Sequence, residues 1–558
     1  MPVIRLPYSD LESLTGTSIE RIKEQMPLMP ADVERVESEY MDVEFFPNRP
    51  DLFSVEGVAR ALRQFLEVEP GLVHYEVEKS GIEMVVDPSV GAVRPYIACG
   101  VARDVHLNSN AIESLMQLQE HLHRGIGRNR AKIAIGLHDL KKVKPPFKYL
   151  AVEPEFAFIP LDYEEEMSLS EILARHPKGV AYGHILKGRD KYPLILDSTG
   201  NTLSFPPIIN AELTRVTEST TDLFIDVTGM DMNVTIALNI VASALVERGG
   251  RIQSVLIHYP DGDKETPHLE PKKMVISMDD VNSLIGIKLG EQECKRCCER
   301  MGLDAKVVPG GKIELMIPAY RYDIIHTRDI IEDIAIGYGY NRIKPENPTT
   351  SGSVIGEEHP VEERKSIIRE IMTGLGYFEV ITFILTSARK QFELMQRAED
   401  EESGAVKVAS PISSEYTMLR CSILPNLLEI LASNKHRDMP QRIFEVGPVI
   451  GAKDFEEREH LASLSIHATA NFAEVKSVVD AVLKELGYDY GDGAGDGDGG
   501  VESKVEVVES ADDAFLAGRR ADIIINSEKR GVFGEIHPQV LLNFGLDYPV
   551  VGFELDVS

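Results

Sequence analysis

The chain has no tryptophan, and aromatic residues make up only 7% of its 558 residues. Cysteine is also scarce: five cysteines are too few for a disulfide scaffold and fit a reducing compartment. No apolar signal region follows the first residue, and the longest apolar stretch, residues 234–246, is too short to span a bilayer. We therefore expect a cytoplasmic protein with no membrane partner.

Basic residues are outnumbered as well: 59 Lys and Arg face 90 Asp and Glu, and the formal net charge at pH 7 is −31. Neutralisation of phosphates by Lys and Arg supplies most non-specific affinity for nucleic acid, so we expect no DNA partner and only local contacts with any nucleic acid. One basic run, between residues 121 and 148, contains a single acid, Asp139. It fits either a solvated face or a nucleic-acid-facing surface, and its basic residues are Arg124, Arg128, Arg130, Lys132, Lys141, Lys142, Lys144 and Lys148.

Several catalytic motifs are absent. The chain contains no G-x-x-x-x-G-K-[ST] phosphate loop, no H-E-x-x-H zinc motif and no G-x-S-x-G nucleophile motif. Three cysteines, Cys294, Cys297 and Cys298, fall with Met301 at the i, i+3, i+4, i+7 spacing of one helix face. Because no fourth ligand lies nearby in sequence, this spacing favours a buried helix face, and we predict no zinc.

Four acids cluster at the start of a predicted helix in residues 317–343. Thr327 is the predicted N-cap, isoleucines follow at helical spacing, and the helix is predicted to end at Gly337 and Gly339. Acids in a first helical turn can simply complement the helix dipole. Hard carboxylate oxygens are also the ligands that Mg²⁺ prefers, and at about 100° per residue three of these side chains share one arc. The acids are Asp323, Asp329, Glu332 and Asp333.

Segment patterns predict an α+β multidomain protein with four parts. Residues 1–85 form a small α/β module, and residues 86–262 alternate short strands with helices. Residues 270–345 form a small α/β domain that ends in the acidic helix, and residues 355–558 suit an antiparallel sheet flanked by helices. The glycine-rich acidic tract 487–500 lacks calcium-loop spacing and is predicted to be a disordered surface loop.

The acid spacing D-x5-D-x2-E-[DE], from Asp323 to Asp333, resembles a signature of phenylalanyl-tRNA synthetase beta subunits. Three other blocks agree in the family's order. FFPNRPDLFSVEGVARAL (45–62) resembles its N-terminal module, and AKIAIGLHDLKKVKPPFKY (131–149) resembles its editing module. SPISSEYTMLRCSILPNLLEIL (410–431) and RIFEVG (442–447) resemble its class II synthetase-like domain. The likeness runs along the whole chain, in the short archaeal and eukaryotic form.

The resemblance implies a subunit that supports ATP-dependent attachment of phenylalanine to tRNA(Phe). Aminoacylation would occur on an alpha subunit, in a heterotetramer of two alpha and two beta chains, with Mg²⁺ shared between the four acids and that subunit. The class II-like domain is expected to be catalytically inactive, because the sequence ends after VVGFELDV, before a helix that could deliver the second ATP-binding arginine. Arg420, Arg437 and Arg442 lie near the family's second motif.

The editing module would hydrolyse tyrosyl-tRNA, and residues 204–231 supply polar candidates for its pocket. In the strand FIDVT, Asp226 and Thr228 should share one face, while Ile225 and Val227 share the other. Ser204 and Asn210 are the further candidates, whereas Thr217 and Ser219 fit turn positions better. Two alternatives remain open: a noncatalytic tRNA-binding scaffold with a decayed editing site, and a metal-dependent hydrolase built on the four acids.

Overall fold

The computed structural model describes residues 2–346, 356–399, 405–451, 455–488 and 504–558. The chain divides into two compact units, Met1–Asn347 and Pro348–Ser558. Most of the predicted acidic loop, from residue 489 to residue 500, lies outside the described residues. Within the described segments, no helix is both long enough and apolar enough to cross a bilayer.

The N-terminal module packs helices on a three-stranded sheet of order β1-β3-β2. Ser54 caps α3 by accepting a hydrogen bond from the backbone N–H of Gly57. The apolar residues of this helix fall at helical spacing and are buried: Val55, Val58, Ala59, Leu62 and Phe65. Gly57 is needed because a Cβ there would lie 1.9 Å from the Asp51 carbonyl oxygen. The elements are β1 Val3–Pro7, α1 Tyr8–Thr15, α2 Ile19–Gln25, β2 Ala31–Val36, β3 Tyr40–Phe45 and α3 Val55–Phe65.

A ten-stranded sheet follows, in the order β12-β11-β10-β7-β4-β14-β5-β13-β6, with β15 paired to β14. β4 runs parallel to β7 and β14, and the other pairs are antiparallel. The elements are β4 Val77–Val86, β5 Tyr96–Arg103, α4 Ser109–Arg124, β6 Ile133–Asp139, β7 Phe147–Val152, β8 Ala157–Phe158, β9 Met167–Ser168, α5 Leu169–Arg175, α6 Pro177–Tyr182, β10 Tyr192–Leu196, β11 Thr202–Phe205, β12 Ile209–Asn210, β13 Leu223–Gly229, α7 Val234–Val246, β14 Arg251–Tyr259 and β15 Gly262–Thr266.

Two sequence expectations need adjustment here. β4 begins at Val77 and belongs to the large sheet, so it spans the expected boundary at residue 85. The acidic, proline-containing stretch HYPDGDKETPHLEP, residues 258–271, predicts a linker from its composition. It contains β15 instead, because its backbone forms a hairpin with β14 in which Val255 pairs with Thr266. Hairpin pairing outweighs the turn-rich composition of that stretch.

The large sheet has a core on each face. Ile225 and Val227 of β13 belong to the core that includes α7 and the N-terminal module, whereas Phe224 belongs to the opposite core with Phe147 and Phe205. The predicted alternation along β13 is therefore confirmed. Asp226 and Thr228 lie on the Phe224 face, and both are buried, with exposures of 1% and 0%.

The small α/β domain pairs its strands in the order β16-β18-β17. The predicted cysteine face is confirmed, since Cys294, Cys297 and Cys298 of α9 are buried in one core with the isoleucines of α10. The elements are β16 Lys272–Ser277, α8 Met278–Ile285, α9 Glu291–Arg300, β17 Asp304–Val308, β18 Lys312–Ile317 and α10 Thr327–Tyr338.

The second unit is a seven-stranded sheet of order β19-β22-β23-β27-β26-β25-β24, antiparallel except for β19 against β22. The α+β expectation is met. The run KVASPI, residues 407–412, predicts a further strand of this sheet, but that prediction is wrong: only Lys407 forms a bridge, to Met418. The elements are α11 Pro360–Gly374, β19 Phe378–Glu379, β20 Leu385–Thr386, β21 Met418–Leu419, α12 Leu424–Ser433, β22 Gln441–Ile450, β23 Glu457–Ile466, α13 Phe472–Glu485, β24 Val505–Glu509, β25 Phe515–Ile525, β26 Glu528–Ile536, α14 Pro538–Phe544 and β27 Val550–Asp556.

Candidate functional site

A cavity of about 540 Å³ opens beside the β6 end of the large sheet. All four residues predicted from the sequence line it. Ser204 comes from β11, Asn210 from β12, and Asp226 and Thr228 from β13. Thr217 and Ser219, in contrast, bond to each other through their hydroxyls at 2.8 Å in a turn and are not in its lining. The four lining residues thus come from three strands of one short segment, residues 204–228.

The centre of the site is a carboxylate–imidazole pair that the sequence did not single out. Asp226 Oδ1 lies 2.7 Å from Nε2 of His138, a fully buried residue of β6. His138 Nδ1 lies 2.8 Å from the Thr214 hydroxyl, and the Ser204 hydroxyl donates to Asp226 Oδ1 at 3.4 Å. These contacts hold the carboxylate in one orientation. The strand pattern of GLHD could have suggested His138, but only the pairing of β6 with β13 shows its partner.

Gly136 makes the close approach of this pair possible. It lies directly opposite Asp226 in the pairing of β6 with β13. A Cβ at this position would lie 2.3 Å from Asp226 Oδ1 and 2.8 Å from His138 Nε2. The carboxylate and the imidazole therefore occupy the space that any other side chain would need.

Thr228 is oriented by a buried arginine. Arg94 Nε donates to the Thr228 hydroxyl at 3.0 Å, and Arg94 Nη2 donates to the Thr228 carbonyl at 2.8 Å. Burial lowers the pKa of Arg94 to about 10, so the guanidinium remains charged at neutral pH. The polar wall expected on β13 thus contains one carboxylate paired with an imidazole and one hydroxyl paired with a guanidinium.

The basic run needs one correction. Arg130 is not part of an exposed basic surface: it is buried, its Nη2 lies 2.5 Å from Glu120 Oε1, and its guanidinium stacks on the Tyr182 ring at 4.5 Å. Both Glu120 and Arg130 line the cavity. No local pattern indicates this ion pair, because α4 and the following loop must fold back before the two charges meet. Six other basic residues of the run are exposed: Arg124, Arg128, Lys141, Lys142, Lys144 and Lys148.

The four predicted metal ligands line a second cavity of about 440 Å³, between the N-terminal module and α10. Asp329 caps the helix in this cavity, because its Oδ2 accepts from the backbone N–H groups of Ile325 and His326 at 2.8 and 2.7 Å. The predicted N-cap, Thr327, is wrong. His326 is the N-cap, since its Nδ1 accepts from the backbone N–H of Arg328 at 3.2 Å.

Asp323 and Asp333 share one buried arginine, Arg321. Its Nη2 lies 2.7 Å from Asp323 Oδ2 and 2.8 Å from Asp333 Oδ2. Burial raises the pKa of Asp333 to about 6, against the opposing attraction of Arg321 and with a further rise from the charge of Asp323. One guanidinium therefore pairs with two carboxylates, and the negative charge of the more buried one, Asp333, is incompletely compensated.

The four acids fit a cation only in part. In the described segments, the single group that brings three ligand atoms within 4.8 Å of one another is Asp32, Glu34 and Glu44, near the surface. The four predicted acids do not reach that spacing. Asp333 Oδ2 is nevertheless buried, and its short contact with Arg321 lacks the alignment of a hydrogen bond, while Glu332 is exposed nearby. Oxygens of this kind suit a hard divalent ion that takes further ligands from water or from a second chain.

Comparison with known proteins agrees with this architecture. The family model described as phenylalanyl tRNA synthetase beta chain CLM domain matches residues 343–557, and the tRNA synthetase B5 domain matches residues 274–340. The phenylalanine–tRNA ligase beta subunit of Methanococcoides burtonii is 50% identical over 560 residues and all of both chains. The corresponding protein of Archaeoglobus fulgidus is 49% identical over 558 residues, which cover 100% of this chain and 98% of that protein.

A solved structure also matches. The crystal structure of an N-terminal fragment of the phenylalanyl-tRNA synthetase beta-subunit from Pyrococcus horikoshii is 42% identical, with a TM-score of 0.59. The match covers 60% of this chain and 99% of the fragment. Matches of this extent indicate a subunit of an aminoacyl-tRNA ligase. The chain belongs to the phenylalanine–tRNA ligase beta-subunit family.

Proposed function

We propose that the chain works in the cytoplasm with a catalytic alpha subunit, as a heterotetramer of two alpha and two beta chains. In this assembly the alpha subunit would use ATP to attach phenylalanine to tRNA(Phe). The beta chain would hold the alpha subunit and hydrolyse tyrosyl-tRNA formed in error. The observation that carries the editing part is the cavity of about 540 Å³ that gathers Ser204, Asn210, Asp226 and Thr228.

The second unit supports the division of labour. Arg420 is 1% exposed, and its Nη1 lies 2.6 Å from Glu445 Oε1, so it has no free face for a nucleotide. Arg442 lies 3.6 Å from Glu474. Of the three arginines near the expected second motif, Arg437 alone is exposed and forms no ion pair with the described residues. A triphosphate needs several cationic groups, and of these three arginines only Arg437 has no ion pair with the described residues.

The same unit exposes apolar side chains that suit a large protein partner. Phe378, Ile381 and Phe383 are 77%, 89% and 75% exposed, and Ile412 is fully exposed. Single exposed apolar residues are ordinary, but a run of them in residues 378–385 is not. We therefore propose that this face contacts the alpha subunit.

Editing has a physical purpose. A hydrophobic pocket for phenylalanine excludes an isostere that merely adds a hydroxyl only about 100-fold, so a second site is needed to remove tyrosine. In the cavity, the Asp226 carboxylate can accept a hydrogen bond from a phenol, and His138 and Ser204 keep that carboxylate in place. Phenylalanine has no hydroxyl to offer, so its ester would leave this buried acceptor without a ligand donor.

The competing scaffold hypothesis keeps tRNA binding but removes hydrolysis. A deacylation assay with tyrosyl-tRNA and the full chain separates the two. We expect turnover well above the spontaneous rate, and turnover equal to the spontaneous rate would favour the scaffold. Phenylalanine-dependent ATP–pyrophosphate exchange should be absent from the chain alone and should appear when a class II alpha-type chain is added.

For magnesium, we propose that Asp323, Asp329, Glu332 and Asp333 hold one ion together with groups of the alpha subunit. Bound there, the ion would supply positive charge that attracts carboxylates of both chains. The poorly aligned contact of Asp333 Oδ2 and the exposure of Glu332 support this assignment. Within this chain, Arg321 and the helix cap keep three of the four acids in position, and the fourth, Glu332, is exposed.

Contact with tRNA is proposed for the exposed members of the basic run. Lys141 and Lys142 follow β6 directly, and Lys142 Nζ donates to the Arg215 carbonyl at 3.0 Å. Arg215 lines the candidate cavity, so Lys142 lies close to its rim. Replacing a phosphate-contacting lysine should weaken binding uniformly across tRNA sequences and reduce the salt dependence of the affinity.

A further inference from the structure

The candidate cavity has another polar region, formed by His123 of α4 and Arg130 of the loop that follows. Their exposures are 2% and 7%, and both line the cavity. His123 Nδ1 and Arg130 Nε are buried atoms without a hydrogen-bond partner in the described part of the chain. An unpaired buried polar group costs about 1–3 kcal/mol, so two in one cavity call for an explanation.

The protonation of His123 follows from its neighbours. Its Nε2 lies 2.8 Å from the backbone nitrogen of Ile135, and a backbone N–H can only donate, so Nε2 is the acceptor. Burial lowers the pKa of His123 to about 4, so the ring is neutral at pH 7. The single ring proton therefore resides on Nδ1. The nearest carboxylate oxygen, of Glu120, is 3.8 Å away, beyond hydrogen-bonding distance.

Arg130 is held rigidly by its terminal nitrogens. Nη1 donates to the carbonyls of Pro207 and Ile208 at 3.3 and 2.9 Å, and Nη2 pairs with Glu120. Nε is the one nitrogen of this guanidinium that has no hydrogen-bond partner among the described residues. The cavity thus contains two fixed N–H donors, one on a neutral ring and one on a cation, next to the same glutamate.

The two donors lie close to the Asp226 side of the cavity. β6 is an edge strand, and its free edge at Ile135 is covered by α4, because His123 accepts from the Ile135 N–H and Gln119 donates to the Ile135 carbonyl. The next residue of β6, Gly136, lies opposite Asp226. A ligand with its phenol at Asp226 can therefore extend along the cavity towards His123.

We propose that His123 and Arg130 form a two-donor subsite that binds the carbonyl oxygen of the aminoacyl ester in this cavity. The inference rests on the proposed hydrolysis of tyrosyl-tRNA. In that reaction the oxygen of water bonds to the carbonyl carbon and the carbonyl oxygen becomes negative. The carbon–oxygen bond to the ribose then breaks. The proton lost by water ends on the ribose hydroxyl, and the products are tyrosine and tRNA with a free 3′ end.

Fixed donors aimed at an oxygen that becomes charged stabilise the transition state more than the ground state. Removal of one such donor typically lowers turnover about 100- to 1,000-fold. His123 Nδ1–H and Arg130 Nε–H would have this role, with the positive charge of Arg130 adding to it. Their effect should therefore appear in kcat and leave KM nearly unchanged.

Two substitutions at His123 separate this role from a purely structural one. In His123→Gln the amide oxygen can replace Nε2 as acceptor for the Ile135 N–H, while the Nδ1 donor is lost. In His123→Asn the amide nitrogen replaces the Nδ1 donor, while the acceptor is lost. We expect deacylation of tyrosyl-tRNA by the assembled ligase to fall about 100-fold in His123→Gln and less than about 10-fold in His123→Asn.

The controls make each outcome decisive. His121→Gln changes a histidine of the same helix that is outside the cavity lining and should remain near the parent rate. Arg130→Lys keeps a charge for Glu120 but removes Nε–H, and should reduce kcat as His123→Gln does. Circular dichroism and melting temperature check the fold of every variant. A folded His123→Gln at the parent rate, or a larger loss in His123→Asn, would overturn the subsite. Absence of deacylation in the parent would instead refute the proposed editing function.

Discussion

The two cavities of the first unit differ in how their carboxylates are compensated. In the cavity of about 540 Å³, Asp226 is held by a hydrogen-bond network of His138, Ser204 and Thr214, formed across strands. In the cavity of about 440 Å³, Asp323 and Asp333 depend on one arginine, and Asp329 caps a helix. The first site is therefore preorganised for a ligand, whereas the second carries excess negative charge that a partner or an ion can compensate.

The largest expected effect lies in the second cavity. Arg321→Met would leave Asp323 and Asp333 buried without their counter-charge, and breaking a buried ion pair in this way typically costs about 3–5 kcal/mol. We expect a clear fall in the melting temperature of the full chain. Arg5→Met is the matched control, because Arg5 pairs with Asp42 at the surface and should change the melting temperature little. Equal effects of the two substitutions would contradict the buried network.

The strongest effect on activity should come from the first cavity. Asp226→Ala removes a charged hydrogen-bond acceptor. Loss of a hydrogen bond to a charged group costs about 1.5–3 kcal/mol, which corresponds to roughly a 10- to 150-fold slower deacylation of tyrosyl-tRNA. Attachment of phenylalanine should remain near the parent rate, because it would occur on the alpha subunit. Asp222→Ala alters a nearby carboxylate that pairs with Arg103 outside the cavity lining and serves as control. If Asp226→Ala deacylated tyrosyl-tRNA at the parent rate, the assignment of Asp226 to the editing site would be wrong.

A smaller effect should follow from Gly136→Ala. The added methyl must displace Asp226 or His138, and overpacking of this kind typically costs about 1–3 kcal/mol. Deacylation should fall together with stability. Gly91→Ala has open space around its Cβ and should change neither quantity. If Gly136→Ala behaved like Gly91→Ala, the close packing at Asp226 would be refuted.

Asp333 gives the second cavity a pH dependence. Its pKa is about 6 in the fold, above its ordinary value of about 4, so its contribution to stability is complete below about pH 4 and is lost as the pH rises through about 6. Asp333→Asn should remove this component, at most about 3 kcal/mol, from the pH profile of unfolding measured with a chelator present. A profile in which the substitution changes nothing between these two pH values would show that Asp333 keeps an ordinary pKa.

The smallest effect on the free chain is expected for Glu332→Gln. The side chain is exposed, and surface substitutions usually change stability by less than about 0.5 kcal/mol. Assembly with the alpha subunit should nevertheless need more Mg²⁺, because one ligand of the proposed ion would be lost. Glu314→Gln is the matched control, because Glu314 lies on β18, pairs with Lys273 and is outside the cavity lining. Identical magnesium dependence in both variants would argue against the ion.

Local patterns predicted much of the fold. Alternation along β13 placed Asp226 and Thr228 on one face, and helical spacing placed the cysteines of α9 in a core. Both depend on the period of one element. The predicted strand at 407–412 failed because its apolar residues remain exposed, with Ile412 fully so, and burial is what makes such a run a strand.

Pairing between distant elements was not accessible from the sequence. His138 lies 88 residues from Asp226, and only the register of β6 against β13 brings them together. The same is true of Arg130, which belongs to the basic run in the sequence but is paired in the fold with Glu120 of α4. The editing candidates were found because four of them are polar residues in one short segment, whereas the histidines come from elsewhere in the chain.

The buried cysteines also provide an intrinsic probe of motion. Cys294, Cys297 and Cys298 are inaccessible, and burial raises the pKa of Cys297 to about 11. Cys99 of β5 is buried as well, and burial raises its pKa well above the ordinary value. A thiol reagent attacks only an accessible thiolate, so alkylation of the folded chain at neutral pH must wait for local opening. Peptide mapping of the modified cysteines over time would therefore measure, without any introduced label, how often the α9 core opens compared with the large sheet around Cys99.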